Sequence, residues 1–149
     1  MTLRWMLAFI HLLALGIGLG AVWVRARALR GTLDPAGLRR VFGADTLWGV
    51  AAALWIGTGV WRAFGGVEKG TTYYVTNPFF HAKMGFLFLI LALEVRPMVT
   101  LIRWRARQGK AEAIDTSPAR ALARISEVQA VLVVMMVLAA TALARGIGG

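Results

Sequence analysis

The stretch from Thr71 to Pro97, TTYYVTNPFFHAKMGFLFLILALEVRP, holds the most unusual chemistry of the chain. A polar, aromatic segment leads into a long apolar run, with His81 and Lys83 near the start of that run and Glu94 near its end. Ionisable residues inside an apolar helix are typical of a membrane span that packs against other helices. We therefore expect the rest of the chain to supply three more hydrophobic helices around it.

The composition indicates a membrane protein. Of the 149 residues, 58% are hydrophobic, which is too apolar for a soluble domain of this size. The net charge is +10, but the basic residues fall between the apolar runs, where they orient helices and meet anionic lipid. With no nucleic-acid module or basic-aromatic pattern, we expect no nucleic-acid partner. The absence of cysteine excludes disulfides, zinc thiolate sites and iron–sulfur clusters.

Four apolar runs predict four membrane spans within one domain, residues 1–149. Each run has about twenty residues, enough to cross a hydrocarbon layer of roughly 30 Å. We place the spans at about residues 3–24, 46–64, 79–102 and 126–145. The predicted fold class is therefore all-α, a bundle of four transmembrane helices.

Local signals predict how the spans begin. Asp34 and Pro35 predict a cap and first turn of a short amphipathic helix that ends near Gly43. Asp45 then stands where the second span would need its N-cap. A turn-rich loop is predicted at residues 65–78, and Ser117-Pro118 predicts the cap and first turn of the last helix.

The distribution of cations predicts the orientation. Arginine and lysine concentrate in the connectors around residues 25–43 and 103–124, while the middle loop has only Lys69, beside Glu68. By the positive-inside rule both basic connectors are cytoplasmic, which places the N and C termini outside.

Counting helical rise from the span ends sorts the charges into two layers. The inner layer contains Arg25, Asp45, Glu94, Arg96, Glu127 and Gln129. Because a charge in a span costs at least ~2.5 kcal/mol, we expect these groups to pair, with Arg25 or Arg96 bridging the acids. We favour a structural network. A proton or ion path through Glu94 and Glu127 is the alternative.

The outer layer contains Arg62, His81 and Lys83. The two cations have no buried acid nearby in the sequence, so we expect their anionic partner to be a cofactor or lipid. His81 is expected to bond to the loop or to a cofactor's carboxylate, and it is the alternative candidate for a ligand.

His11 lies deeper, roughly 12 Å below the start of its helix. A lone histidine in a helix is more often a packing residue than a metal ligand. However, Met135 and Met136 on the fourth helix fall at nearly the same depth, and histidine with methionine is an established axial pair for haem. We therefore treat His11 as a candidate metal ligand and Met135 as its candidate partner.

A set of short motifs runs through the chain. They are His11, Asp45-Thr46-Leu47-Trp48-Gly49, Gly59, Arg62, Glu68-Lys69-Gly70, Tyr73-Tyr74, Asn77-Pro78, Phe80, Lys83-Met84, and Glu94 with Pro97. In these the chain resembles, over essentially its whole length, domain-of-unknown-function family 2214, a bacterial family of predicted four-helix membrane proteins. The resemblance implies a multi-pass protein of the bacterial inner membrane, and it implies no reaction.

A more distant likeness concerns chemistry. The chain has His11 with a downstream Arg25 in its first helix, and His81-Ala82-Lys83 opening a later one. In this pattern it is similar to haem-containing protoporphyrinogen oxidases of bacterial membranes, which implies haem b bound through His11, with Lys83 near a substrate or the propionates. The pattern is also similar to copper-resistance membrane domains, which implies metal transfer.

Three functional hypotheses follow. The leading one is a haem-b binding redox protein with His11 as ligand and Arg62 and Lys83 as anion anchors. The second is a small transporter or metal-handling channel using Glu94 and Glu127, and the third is a structural accessory subunit. The expected partners are the lipid bilayer and, through the spacing of Gly16 and Gly20, a second copy of the chain. The sequence leaves the substrate, the redox partner and any enzymatic activity open.

Overall fold

The computed structural model describes residues 1–66 and 70–148. Its elements are α1 (Thr2–Arg30), α2 (Pro35–Phe64), α3 (Thr71–Thr76), α4 (Pro78–Gly109) and α5 (Ala119–Ala144). The helices α1, α2, α4 and α5 are each long and apolar enough to cross a membrane, and no strand occurs in the described ranges. The predicted all-α class and its four spans are confirmed. Glu68 and Lys69, the charges counted for the middle loop, lie outside the described residues.

The helices pack around α1. It lies along both α2 and α5, and α5 lies along α4. In the described part of the chain, α2 and α4 do not pack along each other's backbones. Both chain termini and α3 meet at one end of the bundle, here called the terminal end. The connectors at residues 31–34 and 110–118 meet at the opposite end, the connector end.

The outward surface of the bundle is apolar. Large side chains such as Phe88 and Leu138 are 71% and 63% exposed, whereas Val22, Val41 and Val133 are fully buried. Large apolar side chains on the outer surface are stable when they contact lipid acyl chains rather than water. The described surface is therefore that of a membrane protein.

The second span differs from its prediction. A short surface helix followed by a separate span was expected, but residues 35–64 form one continuous helix. Asp34 caps it by accepting a hydrogen bond from the Gly37 amide at 2.7 Å. Leu38, Val41 and Ala44 are buried on the face that Trp48 continues, so the packing stripe stays in phase through Gly43. The prediction that Asp45 is an N-cap is wrong, because Asp45 lies in the third turn of α2.

The start of α5 also differs. Its N-cap is Pro118, which makes no side-chain capping bond. The backbone and hydroxyl of Ser117 instead donate hydrogen bonds to Asp115, at 3.0 Å each. These bonds lower the pKa of Asp115. Ser117 thus shapes the connector and does not cap the helix.

One glycine of α1 allows close packing within the chain. A Cβ added at Gly18 would lie 3.4 to 3.6 Å from Trp55, Ala51 and Trp48 of α2, whereas at Gly16 or Gly20 it would meet nothing within 4 Å. The close approach between α1 and α2 therefore occurs at Gly18. Self-association through Gly16 and Gly20 stays a prediction.

Candidate functional site

The most buried charge of the described chain is Arg25, whose side chain is 0% exposed. The guanidinium has five N–H donors, and each has an acceptor. Nε donates to Ser126, Nη1 to Asp45 and Glu94, and Nη2 to Glu94 and Gln129, over distances of 2.7 to 3.0 Å. These acceptors lie on α2, α4 and α5. A single side chain of α1 therefore ties together all four long helices, and we call this set the Arg25 cluster.

The acids of the cluster are held from several sides. Glu94 accepts two parallel bonds from Arg25 and a third from Gln129 at 2.7 Å. Asp45 accepts from Arg25 and also from Arg105 at 2.9 Å. Two guanidinium groups and two carboxylates cancel in charge. The cluster therefore meets the condition under which ionised groups persist in a low-dielectric interior.

Glu127 was predicted in the same network, but the structure places it elsewhere. It pairs with Arg30 at 2.7 and 2.9 Å on a partly exposed surface near the connector end. Gln129, two residues on, occupies the inward position and is fully buried. Two residues turn a helix by about 200°, so the two side chains face opposite ways.

Two adjoining cavities lie toward the terminal end. The inner cavity, of about 60 Å³, is bounded by all four long helices and is lined almost entirely by apolar side chains, with Trp55 and Met136 among them. The outer cavity, of about 330 Å³, includes Arg62, Tyr73 and Tyr74. His11 and Lys83 border both. His11 lies roughly 21 Å along α1 from Arg25, so these two polar side chains belong to separate centres.

The orientation of His11 is set by Thr58 of α2. The Thr58 hydroxyl donates its single proton to the backbone carbonyl of Leu54 at 2.7 Å, with a longer contact of 3.3 Å to the Trp55 carbonyl. It therefore acts as acceptor toward His11 Nδ1, 3.0 Å away. This assigns the proton to Nδ1 and the lone pair to Nε2, the tautomer in which Nε2 can bind a metal.

Gly59 supports the same imidazole. A Cβ at this position would lie 3.1 Å from His11 Cε1, closer than side chains normally approach. Because Gly59 directly follows Thr58, one turn of α2 supplies both the hydrogen-bond acceptor and the space for the ring. The only sign of this support in the sequence was the adjacent pair Thr58-Gly59 on the helix that faces His11.

The other predicted residues divide between the cavities and the surface. Met136 is 5% exposed and lines the inner cavity, while Met135, the predicted partner of His11, is 41% exposed and does not. Arg62 and Lys83 both line the outer cavity. His81 lies on the surface, where its Nε2–H donates to the Val75 carbonyl at 2.6 Å. That bond ties α3 to α4 and occupies one of the two ring nitrogens of His81.

Comparison with known proteins identifies the family. Residues 3–148 match the family described as "Predicted membrane protein (DUF2214)". The chain belongs to the DUF2214 family. No curated protein and no solved structure matches it. The fold of this DUF2214 protein therefore comes with no assigned reaction, and the likeness to haem-containing oxidases or copper-resistance domains gains no support.

Side chains that commonly bind metals do not gather in groups of three in the described part of the DUF2214 protein. Within residues 1–66 and 70–148, no group of three or more His, Asp or Glu residues could together hold a metal ion. His11 could therefore contribute one ligand to a cofactor that brings its own donor atoms.

Trp55 carries a buried polar atom that sequence analysis overlooked. Trp55 is 3% exposed, and its Nε1 has no hydrogen-bond partner among the described residues. Buried indole N–H groups usually have one. The signal available in the sequence was an indole inside a span, one turn before the Thr58-Gly59 pair.

Proposed function

We propose that this protein is a membrane redox protein that binds haem b in the cavities at its terminal end, with His11 Nε2 as an axial ligand. The observation that carries the proposal is the hydrogen bond that His11 Nδ1–H donates to the Thr58 hydroxyl oxygen. A partner on the far nitrogen is the usual feature that fixes a metal-binding imidazole and raises its basicity.

The residues fit such a group. The outer cavity, of about 330 Å³, falls within the roughly 300–1,000 Å³ of ordinary cofactor sites, and the inner cavity adds about 60 Å³ beside it. Apolar side chains from four helices suit a porphyrin ring, and the Met136 thioether lines the same cavity as His11. Arg62 and Lys83 in the outer cavity suit carboxylate groups. When bound, a haem supplies one-electron chemistry.

We further propose that the protein resides in the bacterial inner membrane with its termini outside. The cation-rich connectors support this orientation, since arginine and lysine favour the cytoplasmic side. The cavities then lie near the outer leaflet and the Arg25 cluster near the inner one.

The Arg25 cluster favours a structural role over transport. A carboxylate that carries protons or ions must exchange its partners, whereas Glu94 accepts three hydrogen bonds from Arg25 and Gln129. The second acid of the suggested path, Glu127, is paired with Arg30 at the surface. The accessory-subunit hypothesis is compatible with this cluster, and it predicts no pigment.

The ligand assignment is tested with His11→Ala and Thr58 variants. Purified protein is titrated with haemin in nanodiscs, and the Soret band is recorded. We expect His11→Ala to lose the band of the ligated haem while keeping its helical circular dichroism. Thr58→Val, which removes the acceptor, should weaken haem binding, and Thr58→Ser, which retains the hydroxyl, should restore it. A wild-type Soret band in His11→Ala would refute His11 as ligand.

A further inference from the structure

We propose that a groove on the outer face of α2 binds one anionic phospholipid, with its phosphate on the Arg105 guanidinium and an acyl chain along α2. The residues that line this groove are Phe42, Gly43, Thr46, Leu47 and Val50 of α2 and Arg105 of α4. We call it the Arg105 groove. It lies toward the connector end and shares no lining residue with either cavity. The proposal goes beyond the haem proposal, because it requires neither His11 nor a cofactor.

The first support is the way in which Arg105 is held. Its Nη2 donates to the Phe42 carbonyl, to Asp45 and to Thr46, over 2.9 to 3.1 Å, and its guanidinium lies over the Phe42 ring, 5.2 Å from the centroid. These contacts leave the Nε and Nη1 hydrogens without a hydrogen-bond partner among residues 1–66 and 70–148. The side chain is 39% exposed, so an acceptor can reach it from outside the bundle. Phosphate oxygens are strong acceptors for guanidinium donors.

The second support is the position of the groove at the edge of the apolar surface. On α2, the exposed Arg39 lies one turn before Gly43, and Leu47, which is 49% exposed, lies one turn after it. On α4, Ile102 is 59% exposed and is followed directly by the exposed Arg103. The groove therefore has a cationic end and an apolar end. A phospholipid presents the same two parts in the same order.

The third support is the open space against α2. A Cβ added at Gly43 would meet nothing within 4 Å. Glycine leaves the helix backbone bare between the side chains of Phe42 and Leu47, so a hydrocarbon chain can lie close against α2 there. In the described part of the chain, α4 does not pack along α2 to cover this side.

The charge around the groove favours an anionic lipid over a second copy of the chain. In residues 25–46 and 96–127, arginine and lysine outnumber aspartate and glutamate by twelve to five. Arg105 itself is balanced within the Arg25 cluster, so the excess belongs to neighbours such as Arg39 and Arg103. Two copies that met at the groove would bring these like charges together, whereas an anionic headgroup offsets them.

The experiment is native mass spectrometry of the full chain released from mixed micelles. The micelles contain dioleoylphosphatidylglycerol and dioleoylphosphatidylcholine, which share their acyl chains and differ in headgroup charge. Titration gives the affinity for each lipid, and the same spectra report dimers. Arg105→Lys keeps the charge but places every donor on one nitrogen, so that pairing with Asp45 competes with binding a phosphate. Arg103→Lys is the matched control, since Arg103 is exposed and does not line the groove.

A second pair of variants tests the groove without changing its charge. Gly43→Leu fills the space against α2 and favours the helix, so the variant should fold. Gly20→Leu is its control, because Gly20 is an exposed glycine of α1 at which a Cβ also meets nothing within 4 Å.

We expect wild type to retain one phosphatidylglycerol in preference to phosphatidylcholine. Arg105→Lys and Gly43→Leu should each weaken phosphatidylglycerol binding about three- to tenfold, the effect of one net hydrogen bond, and both controls should match wild type. The proposal is wrong if wild type shows no preference, or if the variants of either pair bind alike. It is also wrong if wild type forms a lipid-free dimer that Gly43→Leu abolishes. No haem enters these measurements, so failure here and failure of the haem proposal are separable.

Discussion

Arg25 of α1 and Glu94 of α4 form a two-point ion pair, with Nη1–Oε1 at 2.8 Å and Nη2–Oε2 at 2.9 Å. The two helices do not pack along each other's backbones in the described part of the chain. The pair therefore links α1 to α4 through side chains alone, while α4 packs along α5. Parallel hydrogen bonds between ionised groups are among the strongest and most directional that proteins use. This relationship leads to the first prediction.

Arg25→Ala should destabilise the protein by about 3–5 kcal/mol, because it leaves two carboxylates facing each other without their shared cation. Arg30→Ala is the control, since Arg30 and Glu127 form a partly exposed pair whose attraction is weakened by solvent screening. Denaturant titration in mixed micelles measures both. Equal losses for the two variants would show that the Arg25 cluster is not a stabilising centre.

Gly59→Ala should disturb His11, because the added methyl would stand 3.1 Å from the ring and force it away from Thr58. We expect a stability loss of about 1–3 kcal/mol, as in other overpacked sites, together with weaker haem binding. At Gly57 a Cβ meets nothing within 4 Å, so Gly57→Ala should be neutral or stabilising by helix propensity. Thermal unfolding and haemin titration separate the two variants. Identical behaviour would count against Gly59 as the support of the imidazole.

Adjacent methionines offer a test of whether a thioether would contribute to holding the proposed haem. Met136 lines the inner cavity and Met135 is exposed, so Met136→Leu should lower the haem midpoint potential while Met135→Leu leaves it unchanged. The reason is that a thioether ligand raises the potential relative to other ligands. Spectroelectrochemistry measures the shift. A larger effect from Met135→Leu would overturn the placement of these two side chains.

The connector between α4 and α5 should respond to acid. Hydrogen bonds from Ser117 lower the pKa of Asp115 below its usual 3.8, so its carboxylate stabilises the folded state above that pH. The contribution disappears as the pH falls through the lowered pKa. Asp115→Asn should therefore lie slightly below wild type in melting temperature at pH 7, and the difference should vanish well below pH 3.8. A difference that persists in acid would indicate a cause other than ionisation.

Much of this fold could be predicted from the sequence. Apolar runs of sufficient length predict the membrane spans, and the helical rise per residue predicts how deep each polar residue lies in the membrane. Depth placed Arg25, Asp45 and Glu94 at one level, and the structure joins them. Depth carries no information on which side of a helix a residue faces. Neighbouring residues on a helix point about 100° apart. Depth alone therefore predicted Met135 as the partner of His11, whereas Met136 is the methionine that lines the cavity. In the same way it predicted Glu127 in the inner network, whereas Gln129 is the residue that faces inward.

The hydrogen bonding around His11 and Trp55 was less accessible. No sequence pattern singled out Thr58. Its role as the hydrogen-bond acceptor for His11 depends on the bond that its hydroxyl donates to the Leu54 carbonyl. The unsatisfied Trp55 N–H depends on packing against Gly18, which no periodicity shows. Local patterns also predicted the wrong start for the second long helix. A break near Gly43 was expected, but the stripe of buried residues from Leu38 to Trp48 lies on one continuous helix.

The central claim is that His11 holds a haem, and the most direct measurement is an absorption spectrum of the wild-type protein expressed with haem precursor supplied. The detergent-purified sample is recorded in the air-oxidised state and again after dithionite reduction. We expect a Soret band that shifts on reduction, as in a b-type cytochrome. A well-folded, colourless preparation that acquires no Soret band on haemin titration would contradict the claim.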